Sequence, residues 1–397
     1  MCNKELYEYA QKDNFNEFLI AIDEIWISLT EQCNLNCSYC CVTRENSKMS
    51  LDTGKKTIDL ILKNGTNPKN INFFGGEPLL CFEVLKELTI YAQQKAKEKN
   101  IEIKLAIFTN ATILNQEKKD FLFENNFKIF VSLSGSKKSH DKFRKDFSGK
   151  GSFDKIITNL NRFTKEEKNK LVISQIIHPK NVNTIFDDFL FLIKNGFSNI
   201  YICEVDGVKW EANEFQILKE QYIKILKYVI QQIKLSNFIY LFFPTKLLNQ
   251  TQTKSEIFYS CNGSENCPLE FKLKVFSNGD ISTSIFNLNE KINKEFYIGN
   301  ITKGLNEKYL NCTFLANSQK CTKCVEELNE KDRRYDYYFK TLKKINKKNA
   351  LIAKNINLLL CDGNINYTFV KYLFKKSKTN EEFAKYNKEG QKLSWGT

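Results

Sequence analysis

From Ile25 onward the chain alternates short β-favouring apolar runs with longer stretches whose apolar residues recur at helical spacing. Runs at 25–30 (IWISLT), 71–75 (INFFG), 103–108 (IKLAIF), 128–133 (KIFVSL), 171–177 (LVISQII) and 199–205 (NIYICEV) predict strands. The segments near 81–98, 183–195 and 211–234 predict helices; in the first, Val84, Leu85, Leu88 and Tyr91/Ala92 share one face. About six strand-then-helix units imply a parallel sheet with right-handed crossovers. Six units suit an open or incomplete barrel, because a closed eight-fold barrel normally takes about 250 residues. The pattern stops near residue 240. At 272–286 (KLKVFSNGDISTSIF) two β-favouring runs flank Asn278-Gly279, a hairpin signal in which both turn residues must tolerate positive φ. The expected fold class is therefore α/β, a partial (β/α)6 TIM-like barrel with a small Cys-rich α+β module behind it. The expected organisation is an N-terminal segment at 1–24, the barrel at 25–240, the module at 241–340 and a helical tail at 341–397.

Composition narrows the functional classes. Of 397 residues 42% are hydrophobic and 27% charged, so a large core is available and wholesale disorder is excluded. Lys and Arg number 60 against 46 Asp and Glu, a net charge of +14. Arg stands only at 44, 144, 162, 333 and 334. That poverty argues against nucleic acid, whose readers rely on the bidentate guanidinium. No apolar run approaches the roughly 20 residues needed to span a bilayer, and the first 20 residues lack a signal-peptide core. A cytoplasmic protein with no membrane partner is the expectation. Thirteen Cys in a reducing compartment point away from disulfides, and most of them cluster at 33–41 and 261–324, which points to metal.

Directly after the first strand stands Cys33-Asn34-Leu35-Asn36-Cys37-Ser38-Tyr39-Cys40. Three thiolates in one loop can hold three irons of a 4Fe–4S cluster and leave the fourth open. The plainer alternative is a zinc knuckle completed by Cys41 or His140, but adjacent Cys40 and Cys41 chelate one tetrahedral ion poorly. The spacing, at the end of the first strand of a strand–helix series, resembles the radical S-adenosylmethionine (SAM) superfamily. The resemblance implies that the open iron binds SAM, whose reductive cleavage gives a 5′-deoxyadenosyl radical that abstracts hydrogen from substrate. Further segments carry the likeness. Gly75-Gly76-Glu77-Pro78 resembles the family segment that contacts the SAM amino group, and Tyr39 matches an aromatic position near adenine. Phe108-Thr109-Asn110 resembles the family's T-N element. Val131-Ser132-Leu133-Ser134-Gly135 with His140-Asp141-Lys142-Phe143-Arg144 resembles the S-x-D-G…H-D-x-x-R block of peptide-modifying and sulfatase-maturing members, with Ser134 in place of the usual Asp. It implies Ser132 and Arg144 as ligands of the SAM carboxylate. The resemblance covers about residues 25–205.

Cys261, Cys267, Cys312, Cys321, Cys324 and Cys361, around the hairpin and Gly299-Asn300, resemble the SPASM extension or its shorter twitch form. Ser284, Glu330 and Arg334 occupy places where the fuller pattern has Cys, which implies one auxiliary 4Fe–4S cluster; a zinc site from the same thiolates is the alternative. Cys203, ending the sixth strand, is a weak candidate for substrate contact. SPASM and twitch relatives imply a peptide or protein substrate and an external electron donor. The 24 residues before the first strand leave no room for a winged peptide-recognition domain, so a separate recognition protein is a possible partner. The competing readings are a twitch-type enzyme acting on a small molecule and a non-catalytic iron–sulfur or zinc protein.

Overall fold

The computed structural model describes residues 24–40, 42–63, 68–205, most of 208–242, 272–282 and 297–305. The auxiliary Cys set lies outside these residues. Strands and helices alternate as the sequence predicts: β1 (Glu24–Thr30), α1 (Leu51–Ile61), β2 (Lys69–Gly75), α2 (Phe82–Lys99), β3 (Ile103–Thr109), α3 (Gln116–Glu124), β4 (Lys128–Ser132), α4 (Phe153–Leu160), β5 (Val172–Ile177), α5 (Ile185–Lys194), β6 (Asn199–Glu204) and α6 (Ala212–Lys234). Helix α1 was not legible beforehand, yet its start has a physical cause. The Ser50 hydroxyl caps it by accepting from the Thr53 N–H at 3.1 Å. A seventh strand, β7 (Tyr240–Phe242), follows α6 where the alternation is expected to stop.

The chain divides into two compact units. In the first, strands β1 to β4 pair in parallel and in sequence order. Strand β1 carries Ile25, Ile27 and Leu29, fully buried, in alternation with Glu24, Trp26 and Ser28. The opposite phase of the sheet forms an aromatic tier, in which Trp26 meets Phe74 and Phe108 with centroids at 5.5 and 4.8 Å. Phe108 stacks on Phe130 at 4.2 Å. This layered filling by alternate residues is that of barrel strands. The second unit holds β5, β6 and β7, again parallel.

The hairpin is present as β8 (Lys272–Val275) and β9 (Asp280–Ser282), continued by β10 (Tyr297–Asn300) and β11 (Gly304–Leu305) in antiparallel pairing. Its turn differs from the expected one. Only Gly279 has positive φ (+86°), while Asn278 does not. The Gly279 N–H donates to Phe276 C=O at 2.8 Å and Phe276 N–H to Asp280 C=O at 2.9 Å, a longer turn closed by one left-handed glycine. Strand β8 pairs in parallel with β1 within the first unit.

Candidate cluster site

The loop after β1 is anchored at its two ends before any ligand is considered. Thr30 Oγ1 donates to Ser47 C=O at 2.6 Å and accepts from the Gln32 N–H at 3.0 Å; Met49 N–H donates to Leu29 C=O at 2.8 Å. Glu31, 5% exposed, accepts from the Ser47 hydroxyl at 2.7 Å and from the hydroxyl of Ser277 in the hairpin turn. The loop therefore starts from a fixed point, although its sulfurs lie between 33 and 40.

Gly75-Gly76-Glu77-Pro78 supports the same point from β2. Gly76 N–H donates to Thr30 C=O and Glu77 N–H to Gln32 C=O, both at 2.8 Å. A Cβ on Gly76 would stand 2.0 Å from the Gln32 carbonyl oxygen, and Gly75, at φ +123°, would meet Ser28 Oγ at 2.2 Å. Both positions are glycine because two backbones touch there. Glu77 is fully buried. Its carboxylate accepts from Leu79 N–H at 3.1 Å, Thr109 Oγ1 at 2.7 Å and Asn110 N–H at 2.7 Å, and burial pushes its pKa up to about 7 against those donors. Pro78 opens the following 3-10 turn.

Asn110, the residue after β3, joins this support to the first sulfur. Its Nδ2 donates to Cys33 Sγ at 3.6 Å and to Asn34 Oδ1 at 2.9 Å, while its Oδ1 accepts from the Thr112 N–H at 2.9 Å. The Leu35 N–H also donates to Cys33 Sγ, at 3.4 Å. The segment after β4 holds the far half of the loop. Asn36 N–H donates to Lys145 C=O at 2.6 Å and Ser38 N–H to Phe143 C=O at 3.0 Å. Between those two carbonyls Arg144 is buried, its guanidinium 5.3 Å from the centre of the Tyr39 ring and hydrogen-bonded to the Cys37 sulfur. His140 is fully buried with Nε2 2.9 Å from Ser152 Oγ, and its carbonyl accepts from the Arg144 N–H at 3.0 Å. Burial, with Arg144 beside it, holds the ring well below its usual pKa, so it stays neutral as a brace. Ser132 closes β4 in the same unit.

Cys33 lies within reach of the charges of Cys37 and Cys40, and Cys37 within reach of that of Cys40. Burial raises Cys33 to about 11 and also raises Cys37, with Arg144 pulling Cys37 the other way. Among the described residues no three His, Cys, Asp or Glu stand close enough for a single metal ion. The donor set fits a 4Fe–4S cluster: three neighbouring thiols, with N–H donors aimed at Cys33 and a cation on Cys37 that favour the thiolate against the burial and mutual repulsion opposing it. Thus the structure brings together Cys33, Cys37, Cys40, Tyr39, Gly75, Gly76, Glu77, Pro78, Asn110 and Arg144. It adds Glu31, Asn34, Thr112 and Ser277, which no motif marks. Cys203, on β6 in the second unit, lies with its Sγ 3.3 Å from the carbonyl of Glu204, whose carboxylate accepts from Tyr222 at 2.5 Å.

Comparison with known proteins agrees with this geometry. Residues 27–192 match the model of the Radical SAM superfamily. The cysteine-type anaerobic sulfatase-maturating enzyme of Clostridium novyi (strain NT) is 34% identical over 181 residues, 41% of this chain and 48% of that protein. The serine-type enzyme of Bacteroides thetaiotaomicron is 34% identical over 146 residues, 34% of each chain. The chain thus spans about half, or less, of the length of these relatives. Among solved structures, native anSMEcpe with bound AdoMet superposes with a TM-score of 0.60 at 18% identity, covering 74% of this chain and 82% of that one. Streptococcus suis SuiB bound to precursor peptide SuiA gives a TM-score of 0.56 at 17% identity, covering 81% of this chain and 72% of that one. These likenesses show the fold, a mostly parallel α/β sheet of the partial-barrel kind. The three-cysteine loop and the strands that brace it lie within residues 27–192, the stretch that matches the Radical SAM superfamily.

Proposed function

We propose that the protein is a radical SAM enzyme that modifies a peptide or protein. The observation that carries the chemistry is the Cys33–Cys40 loop, fixed on three sides by Gly76, Asn110 and Phe143/Lys145 backbone and side-chain contacts. A bound 4Fe–4S cluster would supply the electron that cleaves SAM to the 5′-deoxyadenosyl radical, which then takes hydrogen from substrate. The chain's residues do the rest. Cys33, Cys37 and Cys40 ligate three irons; Asn110 orients Cys33. Arg144 and Ser132 receive the SAM carboxylate, the first through a charge-assisted pair. Gly75 and Gly76 let backbone approach the SAM amino group, and Tyr39 lies beside the adenine. The relatives named for sulfatase maturation and the SuiB complex with SuiA support a peptide substrate, and the need of clustered Cys to stay reduced if they are to ligate iron supports a cytoplasmic setting. One auxiliary 4Fe–4S cluster, from four of Cys261, Cys267, Cys312, Cys321, Cys324 and Cys361, completes the reading; a separate recognition protein for the peptide is compatible with it.

The test is anaerobic reconstitution with iron and sulfide, then SAM and dithionite. The expected result is 5′-deoxyadenosine from the unaltered protein and none from Cys33→Ala/Cys37→Ala/Cys40→Ala. Reductive cleavage by that triple variant would overturn the assignment. Addition of candidate peptides, read by mass spectrometry for a loss of hydrogen, tests the substrate class.

A further inference from the structure

The cluster loop has an outer side, and its chemistry is unlike that of the inner one. Cys40 is exposed, whereas Cys33 and Cys37 are half-buried. Beside it the strap at 142–151 reaches into solvent, joined to the loop by the Asn36–Lys145 and Ser38–Phe143 backbone bonds. At its tip Phe147 is 63% exposed, and the Arg44 guanidinium from the cluster loop sits 5.2 Å from the centre of its ring. Lys142, Lys145 and Lys150 are exposed on the same strap. Its acid, Asp146, is engaged locally, accepting from the N–H groups of Ser148 and Lys150 at 3.0 and 2.9 Å and from Ser148 Oγ at 2.6 Å. Glu45 is the exposed carboxylate of the neighbouring loop. A single exposed aromatic is ordinary on a protein surface. An exposed Phe met by an Arg, with three exposed Lys on the same strap and an exposed cluster ligand on the loop it holds, is the composition of an interface core with a steering rim.

Resting on the radical SAM reading, we infer that this face docks the electron donor, a small acidic redox protein carrying a low-potential flavin or iron–sulfur centre. Phe147 and Arg44 supply the desolvated contact. Lys142, Lys145 and Lys150 supply the attraction, which orients the donor's acidic rim toward Cys40. The step balances as a one-electron transfer: the donor's reduced centre is oxidised by one electron and the oxidised cluster is reduced by one. No bond of this chain forms or breaks.

The probe is an acidic flavodoxin, used with the reconstituted full chain. The double variant Lys142→Glu/Lys150→Glu and the single variant Phe147→Ala fall on residues that supply neither of the strap carbonyls holding the loop. With photoreduced flavodoxin at low salt, 5′-deoxyadenosine formation should fall about tenfold or more in the charge-reversal variant, and added salt should shrink the difference from the unaltered protein. Dithionite-driven formation should be unchanged in both variants. Direct titration of oxidised flavodoxin, read by its flavin fluorescence, should show the same loss of affinity without turnover. Equal flavodoxin-driven rates and affinities in all three proteins would overturn the inference, as would tighter binding of duplex DNA than of flavodoxin at this face. If charge reversal lowers iron content, Phe147→Ala decides, since it adds no charge near the sulfurs. If dithionite yields no 5′-deoxyadenosine even from the unaltered protein, the radical SAM reading itself fails, and the inference falls with it.

Discussion

Glu77 shows how a motif residue can be structural and titratable at once. All three of its partners are donors, which suits a carboxylate, yet burial dominates and lifts its pKa from 4.5 to about 7. Because the folded pKa lies above the unfolded value, the native state binds the extra proton between about pH 4.5 and 7. Stability should therefore fall across that window as pH rises, by about 3 kcal/mol in total. Urea unfolding of the unaltered protein and of Glu77→Gln, measured from pH 4.5 to 7.5, checks this; the variant should lose that part of the slope. Glu77→Gln should also cost about 1–3 kcal/mol at pH 5, because an amide NH2 would be set against N–H or O–H donors. Arg144 carries the second expectation at this scale. Replacing it by Gln keeps a donor toward Cys37 but removes the charge, so SAM affinity in equilibrium dialysis should fall about 30-fold, roughly 2 kcal/mol, with iron content held. Unchanged affinity would leave Arg144 as a brace of the cluster loop alone.

The elements explain why the loop is held where it is. Strand β1 is central in its unit, flanked by β2 and β8, so the segment leaving it at Thr30 meets two neighbours at once. Gly76 lets one of them approach to hydrogen-bonding distance, and Gly76→Ala should force Gln32 away. The expected loss is at least ~2 kcal/mol in denaturant unfolding, with iron retention falling in parallel, since the misplaced carbonyl is one residue from Cys33. The strand–helix alternation, the three-cysteine loop and the GGEP turn were legible because each is written locally, in period, spacing or residue type. The Glu31–Ser277 contact was not, for its partners are 246 residues apart and neither belongs to a motif. Helix α1 was missed for a different reason. Its apolar residues are sparse, and its buried face includes Gly54 and Thr57, which a hydrophobic pattern does not register. The hairpin is legible but its turn is not, since Asn278-Gly279 is compatible with a two-residue turn and only the backbone reveals one left-handed residue.

At the scale of the whole molecule, the first unit carries both the three-cysteine loop and the hairpin that opens the C-terminal region. The hairpin turn reaches the residue just before the cluster loop through Ser277 and Glu31, which ties the start of the Cys-rich region to the loop's anchor. Six Cys cannot complete two four-Cys clusters, and Ser284, Glu330 and Arg334 stand where further ligands would be needed. The prediction is therefore one centre. Cys321 and Cys324 form its surest half, because a CxxC turn sets two thiolates on one metal without strain; Cys267 and Cys312 are the expected complement. The triple variant at 33, 37 and 40 isolates this centre, for any iron that it retains after reconstitution must be held elsewhere. About four irons per chain, lost again on adding Cys321→Ala/Cys324→Ala, is the outcome that one auxiliary 4Fe–4S cluster requires. About eight would mean a second cluster, and zinc without iron would remove the redox role from this region while leaving the first site intact.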